Sequence, residues 1–195
     1  MPLLSSSDAE RLPQLRMKRA DLTNLPLLPQ RTDYSFRTYR RGDEQSWATI
    51  MNTGIGSGWT ETLVQQRLTR QPQFDPDGLY FALRGLDCVG SACCWRDSLD
   101  ETRIGLAHMV CVLPEHRGLG LGEHLTLLVL RRLRETGFAE AQLLTDDFRL
   151  SAIHAYLAPG FEPLITHPSH EHRWLDVRAA LRARAETRER AASGG

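Results

Sequence analysis

An arginine followed by three glycines at alternate positions is the feature of this sequence with the clearest chemistry. The stretch is Arg117-Gly-Leu-Gly-Leu-Gly122, which lies between an apolar run and an amphipathic one. Because glycine has no Cβ, successive backbone N–H groups can point into one concavity, and a helix that begins there adds its positive end. The arginine brings further donors that suit phosphate oxygens. The spacing therefore predicts a phosphate-binding loop at a strand-to-helix turn.

Two common phosphate-binding loops do not fit these residues. A P-loop ends in Gly-Lys-Ser/Thr, whereas Gly122 is followed by Glu123 and His124, so the lysine and the magnesium-binding hydroxyl are both missing. A dinucleotide loop has the spacing G-x-G-x-x-G on the first strand of a βαβ unit. Here the spacing is G-x-G-x-G, past the middle of the chain. Both kinds of site are excluded.

A second block follows the glycines and completes a pattern. It runs Leu144-Thr-Asp-Asp-Phe-Arg-Leu-Ser-Ala-Ile-His-Ala-Tyr-Leu-Ala-Pro-Gly-Phe161. Together with Arg117, Gly120 and Gly122, which match Arg/Gln-x-x-Gly-x-Gly/Ala, it resembles the GNAT acetyltransferase superfamily over about residues 34–177. The resemblance implies an α/β GNAT fold: a mixed, mostly antiparallel twisted sheet flanked by helices, with CoA in the cleft between the fourth and fifth strands. It also implies acetyl-CoA as co-substrate, without a metal.

The resemblance assigns the cofactor contacts residue by residue. Backbone groups of the strand before the loop would bind the pantetheine arm and the acetyl carbonyl, and backbone amides of the loop would bind the pyrophosphate. Arg149 is a departure, since many members have asparagine there. Its guanidinium either reaches a CoA phosphate or carbonyl, or only covers the helix surface. The resulting candidates for cofactor binding are Val110, Cys111, Val112, Arg117, Gly118, Leu119, Gly120, Leu121, Gly122, Glu123 and Arg149.

Tyr156 is the candidate catalytic acid. In the family, a tyrosine four residues before Gly-Phe protonates the sulfur of CoA, and Tyr156 stands at that distance from Gly160-Phe161. A proton donor is needed because the departing thiolate carries the charge that develops on the leaving group. The alternative is an aromatic side chain that only packs on the apolar face of a short helix.

The residue that takes the proton from the amine is less clearly specified. An alkyl amine has a pKa near 10 and must lose a proton before it attacks. Some family members carry a glutamate as the base at the position of Leu106. The leucine side chain cannot accept a proton, so that arrangement is lost here. His108, two residues further on the same strand face, is the second catalytic candidate because its pKa lies near working pH. Asp146 and Asp147 could act directly or through water, and ordered water alone could carry the proton away.

Histidines and cysteines do not indicate a metal site. His167, His170 and His172 lie in a segment that is predicted to be a loop bordering the acceptor pocket, and transition-metal sites need further ligands in a rigid arrangement. The four cysteines lack C-x-x-C spacing and lie in apolar runs, which favours buried free thiols in a reducing compartment.

Composition predicts a cytoplasmic globular domain. The 195 residues include 24 Lys plus Arg and 24 Asp plus Glu, so no net charge favours nucleic acid or a membrane as a partner. No apolar run approaches the roughly 18–20 residues that span a bilayer, and the first residues lack the layout of a signal peptide. No motif identifies the acceptor, and the sequence leaves open whether the protein forms a homodimer.

Hydrophobic periodicity and turn residues predict the order of the elements. We expect an N-terminal extension over 1–30 that packs loosely on the domain or is partly disordered, a GNAT domain over 31–178, and a C-terminal helix and flexible tail over 179–195. Strands are predicted at 34–39, 79–84, 88–95, 103–112, 141–145, 161–165 and 172–175. Helices are predicted at 44–53, 60–70, 119–136, 150–157 and 176–192.

These observations predict an acetyltransferase that moves an acetyl group from acetyl-CoA to an amine of a small molecule or peptide by direct attack. The alternative is a CoA-binding sensor or regulatory module without catalysis.

Overall fold

Seven strands and five α-helices occur in the part of the chain that the structure describes. The computed structural model describes residues 12–193 of the chain. The elements are β1 (Leu15–Arg19), β2 (Ser35–Thr38), α1 (Glu44–Gly54), α2 (Glu61–Val64, continued by a π-helical turn over Gln65–Thr69), β3 (Leu79–Arg84), β4 (Asp87–Trp95), β5 (Ile104–Val112), α3 (Leu121–Glu135), β6 (Glu140–Thr145), α4 (Leu150–Leu157), β7 (Glu162–Leu164) and α5 (His170–Ser193).

The strands form one mixed, mostly antiparallel sheet in the order β2-β3-β4-β5-β6-β1-β7. The pair β5 and β6 is parallel, and the other neighbouring pairs are antiparallel. Helices cover both faces, because each sheet face carries apolar side chains that need a partner layer. The predicted fold class is confirmed.

Two hydrophobic clusters hold the layers together. On one face α3 presents a helical stripe, of which Leu125, Val129 and Leu133 are at most 1% exposed, and α4 and α5 extend this layer. On the other face Trp47, Ile50 and Met51 of α1 are equally buried against β3–β5, together with residues of α2.

The local predictions succeed where the pattern is strong. The hairpin of β3 and β4, the strands β5 and β6, and the helix α4 lie at or within about two residues of their predicted places. The predicted strand at 172–175 is wrong, because that segment belongs to the helix α5. Trp174, Val177 and Leu181 recur at helical spacing and pack into the core, which a strand could not arrange. The predicted boundary at 178/179 therefore falls inside one helix.

The prediction of a loosely packed extension over 1–30 is wrong for its described part. β1 lies inside the sheet, antiparallel to both β6 and β7, with Leu15 and Met17 fully buried. Arg19 reinforces this position by donating to the carbonyls of Pro159 and Asn24. Alternation of apolar and charged residues in Leu15-Arg-Met-Lys-Arg19 was the available signal. Residues 1–11 lie outside the described part of the chain.

Within residues 12–193, no helix combines the length and hydropathy needed to cross a membrane.

The placement of β1 predicts that the strand contributes strongly to stability. Met17→Ala removes a fully buried side chain from the core and should lower the free energy of unfolding by about 2–5 kcal/mol. Lys18→Ala, a neighbouring change on the opposite strand face, should cost about 0.5 kcal/mol or less. Chemical denaturation followed by circular dichroism measures both, and equal small effects would contradict an integral β1. A chain starting at Arg31 should fail to fold.

Candidate active site

The cleft of this protein arises where β5 and β6 part. Their parallel ladder covers Ile104, Gly105 and Leu106 on β5, opposite Glu140, Ala141 and Gln142 on β6, and no described strand pairs with that edge of β5 beyond Leu106. Backbone groups of the last residues of β5 are thereby left without a sheet partner on one side. Such groups bind strongly to any extended polar chain that enters the gap.

A bulge in β5 re-aims the residues beside the cleft. Ser91 of β4 pairs with Cys111 and Cys93 pairs with His108, so β5 has one residue more than β4 in this interval. Met109 absorbs the difference with a φ of 53°, the one described non-glycine residue with positive φ. Because a one-residue shift reverses side-chain alternation, Val110 and Val112 pack under α3 while Cys111 faces α1. Sequence reasoning placed the three residues correctly on the strand but missed the bulge.

The glycine loop presents a run of unused backbone donors at the start of α3. Gly118 and Gly120 have φ of 79° and 76°, and Gly120 is the N-cap of α3. The first N–H after the loop with a partner is that of His124, which donates to Gly120 at 3.1 Å. None of the N–H groups of residues 118–123 donates to an acceptor in the described part of the chain. This run of donors at a helix N-terminus fits the predicted pyrophosphate site.

Arg117 connects the loop to its surroundings through backbone carbonyls. Its Nε donates to the Val112 carbonyl at 2.9 Å, and its Nη2 lies 3.5 Å from the Thr53 carbonyl at the end of α1. The guanidinium therefore joins the end of β5 to α1 beside the loop. A role in holding the loop is supported directly, and a contact with phosphate stays a prediction.

Tyr156 lies on α4, close enough to Cys111 of β5 for the two side chains to interact electrostatically. Its side chain is 5% exposed and its ring contacts Phe161 edge to face, with 6.3 Å between the centroids. Burial raises the pKa of Tyr156 to about 12, the Arg149 guanidinium lowers it in part, and the Cys111 thiol raises it. The phenol is consequently protonated at neutral pH.

Arg149, Cys111 and Tyr156 form one electrostatic group. Arg149 is the N-cap residue of α4, and its charge acts on both other side chains. Burial raises the pKa of the Cys111 thiol, whereas Arg149 and Arg117 lower it. Arg149 makes no ion pair with a described residue. Cys111 of β5 and Tyr156 of α4, two predicted site residues, thus both lie within the electrostatic influence of the unpaired Arg149 guanidinium.

His108 lies on β5 just past the point where the strands separate. Its imidazole stacks on Trp95 with 5.9 Å between the centroids. Burial lowers the pKa of His108, and Asp97 offsets this in part. The imidazole is therefore neutral at pH 7 and able to accept a proton.

The two aspartates that follow β6 are engaged in structural contacts. Asp147 forms a bidentate pair with Arg173 of α5, which lowers the pKa of the carboxyl. Asp146 accepts a hydrogen bond from Gln14 at 3.0 Å. These contacts fasten the segment between β6 and α4 to β1 and α5, so they favour a structural role over that of a base.

Two of the histidines around the start of α5, His167 and His170, lie side by side with 5.9 Å between their ring centroids. His170 is 1% exposed and lies within hydrogen-bonding range of the Thr166 N–H, whereas His167 contacts Ser169. No cluster of three or more potential metal ligands occurs among residues 12–193. All four cysteines are free, and three of them are buried.

One residue beside the glycine loop escaped sequence reasoning. Arg31 follows β1 by twelve positions, yet its guanidinium lies against Gly120. No sequence motif identifies Arg31, because its contact with the glycine loop depends on the path that the chain takes after β1.

Comparison with known proteins agrees with this geometry. A model of the acetyltransferase (GNAT) family matches residues 44–161. Mycothiol acetyltransferase from Thermobispora bispora is 31% identical over 157 residues, which cover 75% of this chain and 52% of that protein. Mycothiol acetyltransferase from Rhodococcus jostii is 32% identical over 167 residues, covering 79% of this chain and 53% of that protein. The chain thus spans about half the length of these curated relatives.

Solved structures show the same fold at lower identity. A GCN5-related N-acetyltransferase from Sphaerobacter thermophilus superposes with a TM-score of 0.60 at 19% identity, over 78% of this chain and 50% of that one. Ard1 from Thermoplasma volcanium superposes with a TM-score of 0.57 at 20% identity, over 71% of this chain and 92% of that one. With the family match over residues 44–161, the parted strands and the glycine loop, this chain belongs to the acetyltransferase (GNAT) family.

Proposed function

We propose that this protein transfers an acetyl group from acetyl-CoA to an amine of a small molecule or peptide by direct attack. The observation that carries the proposal is the parting of β5 and β6 beside the unused amides of the glycine loop. A pantetheine arm needs amide partners and a pyrophosphate needs N–H donors, and the cleft offers both in sequence. The names of the curated relatives support acetyl transfer as the reaction.

The reaction uses the two ends of the cleft. Backbone groups of Val110, Cys111 and Val112 orient the thioester and stabilise the oxyanion as the C–N bond forms. The C–S bond then breaks, His108 accepts a proton from the attacking nitrogen, and Tyr156 gives its proton to the sulfur. His108 suits this role because its lowered pKa keeps the imidazole neutral at pH 7.

The charge on Arg149 assists the leaving group. A thiol has a pKa of about 8.5, so a phenol whose pKa is about 12 transfers its proton to the thiolate against an unfavourable pKa difference. The Arg149 guanidinium lowers the Tyr156 pKa and narrows this difference. A cation at this position also stabilises negative charge on the departing sulfur.

The proposal is tested by measuring thiol release from acetyl-CoA with a panel of amines that includes the deacetylated form of mycothiol. Turnover with at least one amine, together with CoA binding by calorimetry, is expected. Binding of CoA without acetyl transfer to any amine would favour the sensor or regulatory module instead. Absence of CoA binding would contradict both functions.

Phosphate binding at the glycine loop is tested by Gly118→Asp. A side chain at Gly118 would enter open space next to the loop amides, so its carboxylate should repel the pyrophosphate and weaken CoA binding about a hundredfold or more. Gly137→Asp is the matched control, because Gly137 also has positive φ and open space but lies at the far end of α3. The two variants should have similar melting temperatures, but calorimetry should show weaker CoA binding only in Gly118→Asp. Equal affinities in the two variants would contradict the loop assignment.

The acid role of Tyr156 is tested by Tyr156→Phe. The ring and its packing remain, so acetyl-CoA affinity should change little, while kcat should fall about 10²–10⁴-fold because the proton donor is lost. Tyr80→Phe is the control, since burial also raises the pKa of Tyr80 to about 12 but that residue lies on β3. A kcat for Tyr156→Phe within a few-fold of the parent, with chemistry rate-limiting, would overturn the assignment.

The base role of His108 is tested through the pH profile of kcat/KM. Because burial lowers the His108 pKa below 6.5, its protonation should produce an acidic limb below that pH, with full activity above it. In His108→Gln this limb should disappear and the plateau should fall about 10²-fold. His154→Gln, an exposed change on α4, should leave the profile unchanged. If the acidic limb of the kcat/KM profile persists in His108→Gln, another group acts as the base.

A further inference from the structure

A segment outside the family match crosses α3 and ends at the glycine loop. We refer to residues 24–34 as the crossing segment. Arg131 of α3 donates to the Pro26 carbonyl at 3.2 Å, and the Pro29 backbone lies close enough to the His124 imidazole to influence its pKa. Leu25 and Leu28 pack against the main core. The segment is therefore fastened along the helix from its C-terminal half to its N-terminus.

The crossing segment places one guanidinium directly on the loop. A Cβ at Gly120 would lie 2.8 Å from Cζ and 3.3 Å from Nε of Arg31. The Tyr34 N–H donates to the Arg31 carbonyl at 3.2 Å, and the Tyr34 hydroxyl is 3.0 Å from Nδ1 of His116. Because both sides of Arg31 are anchored, its position does not depend on the guanidinium alone.

The charge on Arg31 is not neutralised by the protein. Arg37, Arg132 and Arg173 each pair with an aspartate, whereas Arg31 forms no ion pair with a residue in the described range. Its Nε is buried without a hydrogen-bond partner. Arg31 also lines a cavity of about 310 Å³, together with Arg84, Leu119 and Asp33. A buried N–H donor needs an acceptor, and an unpaired guanidinium favours an anionic one.

We propose that Arg31 is a phosphate-binding residue that completes the diphosphate site of the cofactor from outside the family region. Its fork of N–H donors lies beside the loop whose amides of residues 118–123 are unused, so one diphosphate can accept from both. The inference rests on the proposed function, because the anion it names is the diphosphate of CoA. The competing interpretation is that Arg31 blocks the loop and must leave before the cofactor binds.

Arg31→Gln tests the two interpretations by calorimetry, which needs no acceptor. The affinity for CoA should fall at least about tenfold, since a hydrogen-bonded charge is lost. The same loss is expected with dephospho-CoA, which keeps the diphosphate but lacks the 3′-phosphate. Arg103→Gln is the matched control, because it removes an exposed arginine just before β5, at the opposite end of that strand, and should leave both affinities unchanged.

If Arg31→Gln folds poorly, the variant Arg31→Lys and the salt dependence of CoA binding provide a second measurement. The lysine keeps the charge but not the fork, so an intermediate affinity is expected, with the salt dependence of the parent. Tighter binding in Arg31→Gln would establish the blocking role and overturn the proposal, as would an unchanged affinity or a loss confined to CoA. If the parent protein binds neither ligand, it is the proposed function that fails.

Discussion

The parting of β5 and β6 is the constraint on which the rest of the structure depends. Three residues of each strand pair, and beyond Leu106 the strands diverge with backbone groups unpaired on the facing edge of β5. Unpaired backbone groups inside a fold are costly unless water or another molecule satisfies them. The helix α4 packs into the same core as the two strands, with Ile153 and Tyr156 almost fully buried. A sheet that closed completely would be better hydrogen-bonded but would have no place for an extended co-substrate.

The surroundings of the gap are rigid because several long-range contacts meet there. The bulge at Met109 allows β5 to serve two cores at once, with Val110 and Val112 under α3 and Cys111 under α1. Arg117 then ties the end of β5 to the end of α1 through two carbonyls. On the far side, Arg173 and Gln14 hold the aspartates that follow β6. The loop amides therefore stand on elements that cannot easily shift relative to one another, which is what preorganised binding requires.

Charge is distributed unevenly around the gap between β5 and β6. Two carboxylates that follow β6 are engaged, Asp147 with Arg173 and Asp146 with Gln14, whereas Arg149 and Arg31 have no ion-pair partner among the described residues. Burial keeps His108 neutral and Tyr156 protonated at neutral pH. The result is a glycine loop with free donors and positive charge beside it, together with a neutral imidazole on β5 and a protonated phenol on α4. This arrangement matches a long anionic co-substrate with its reactive end buried.

The sequence by itself determined the features that arise from neighbouring residues. The glycine spacing, the helix carrying Tyr156 and the β3–β4 hairpin follow from local backbone preference and short-range periodicity, and all three occur as predicted. Only the tertiary structure decided the place of β1, whose Leu15 pairs with Thr145, because strand pairing across most of the chain leaves no local trace. The same holds for the helix at 172–175, whose Trp174 is buried in the core, and for Arg31, which reaches Gly120 only after the chain has crossed α3. Local chemistry is written in adjacent residues, whereas register and proximity are set by which distant surfaces bury each other.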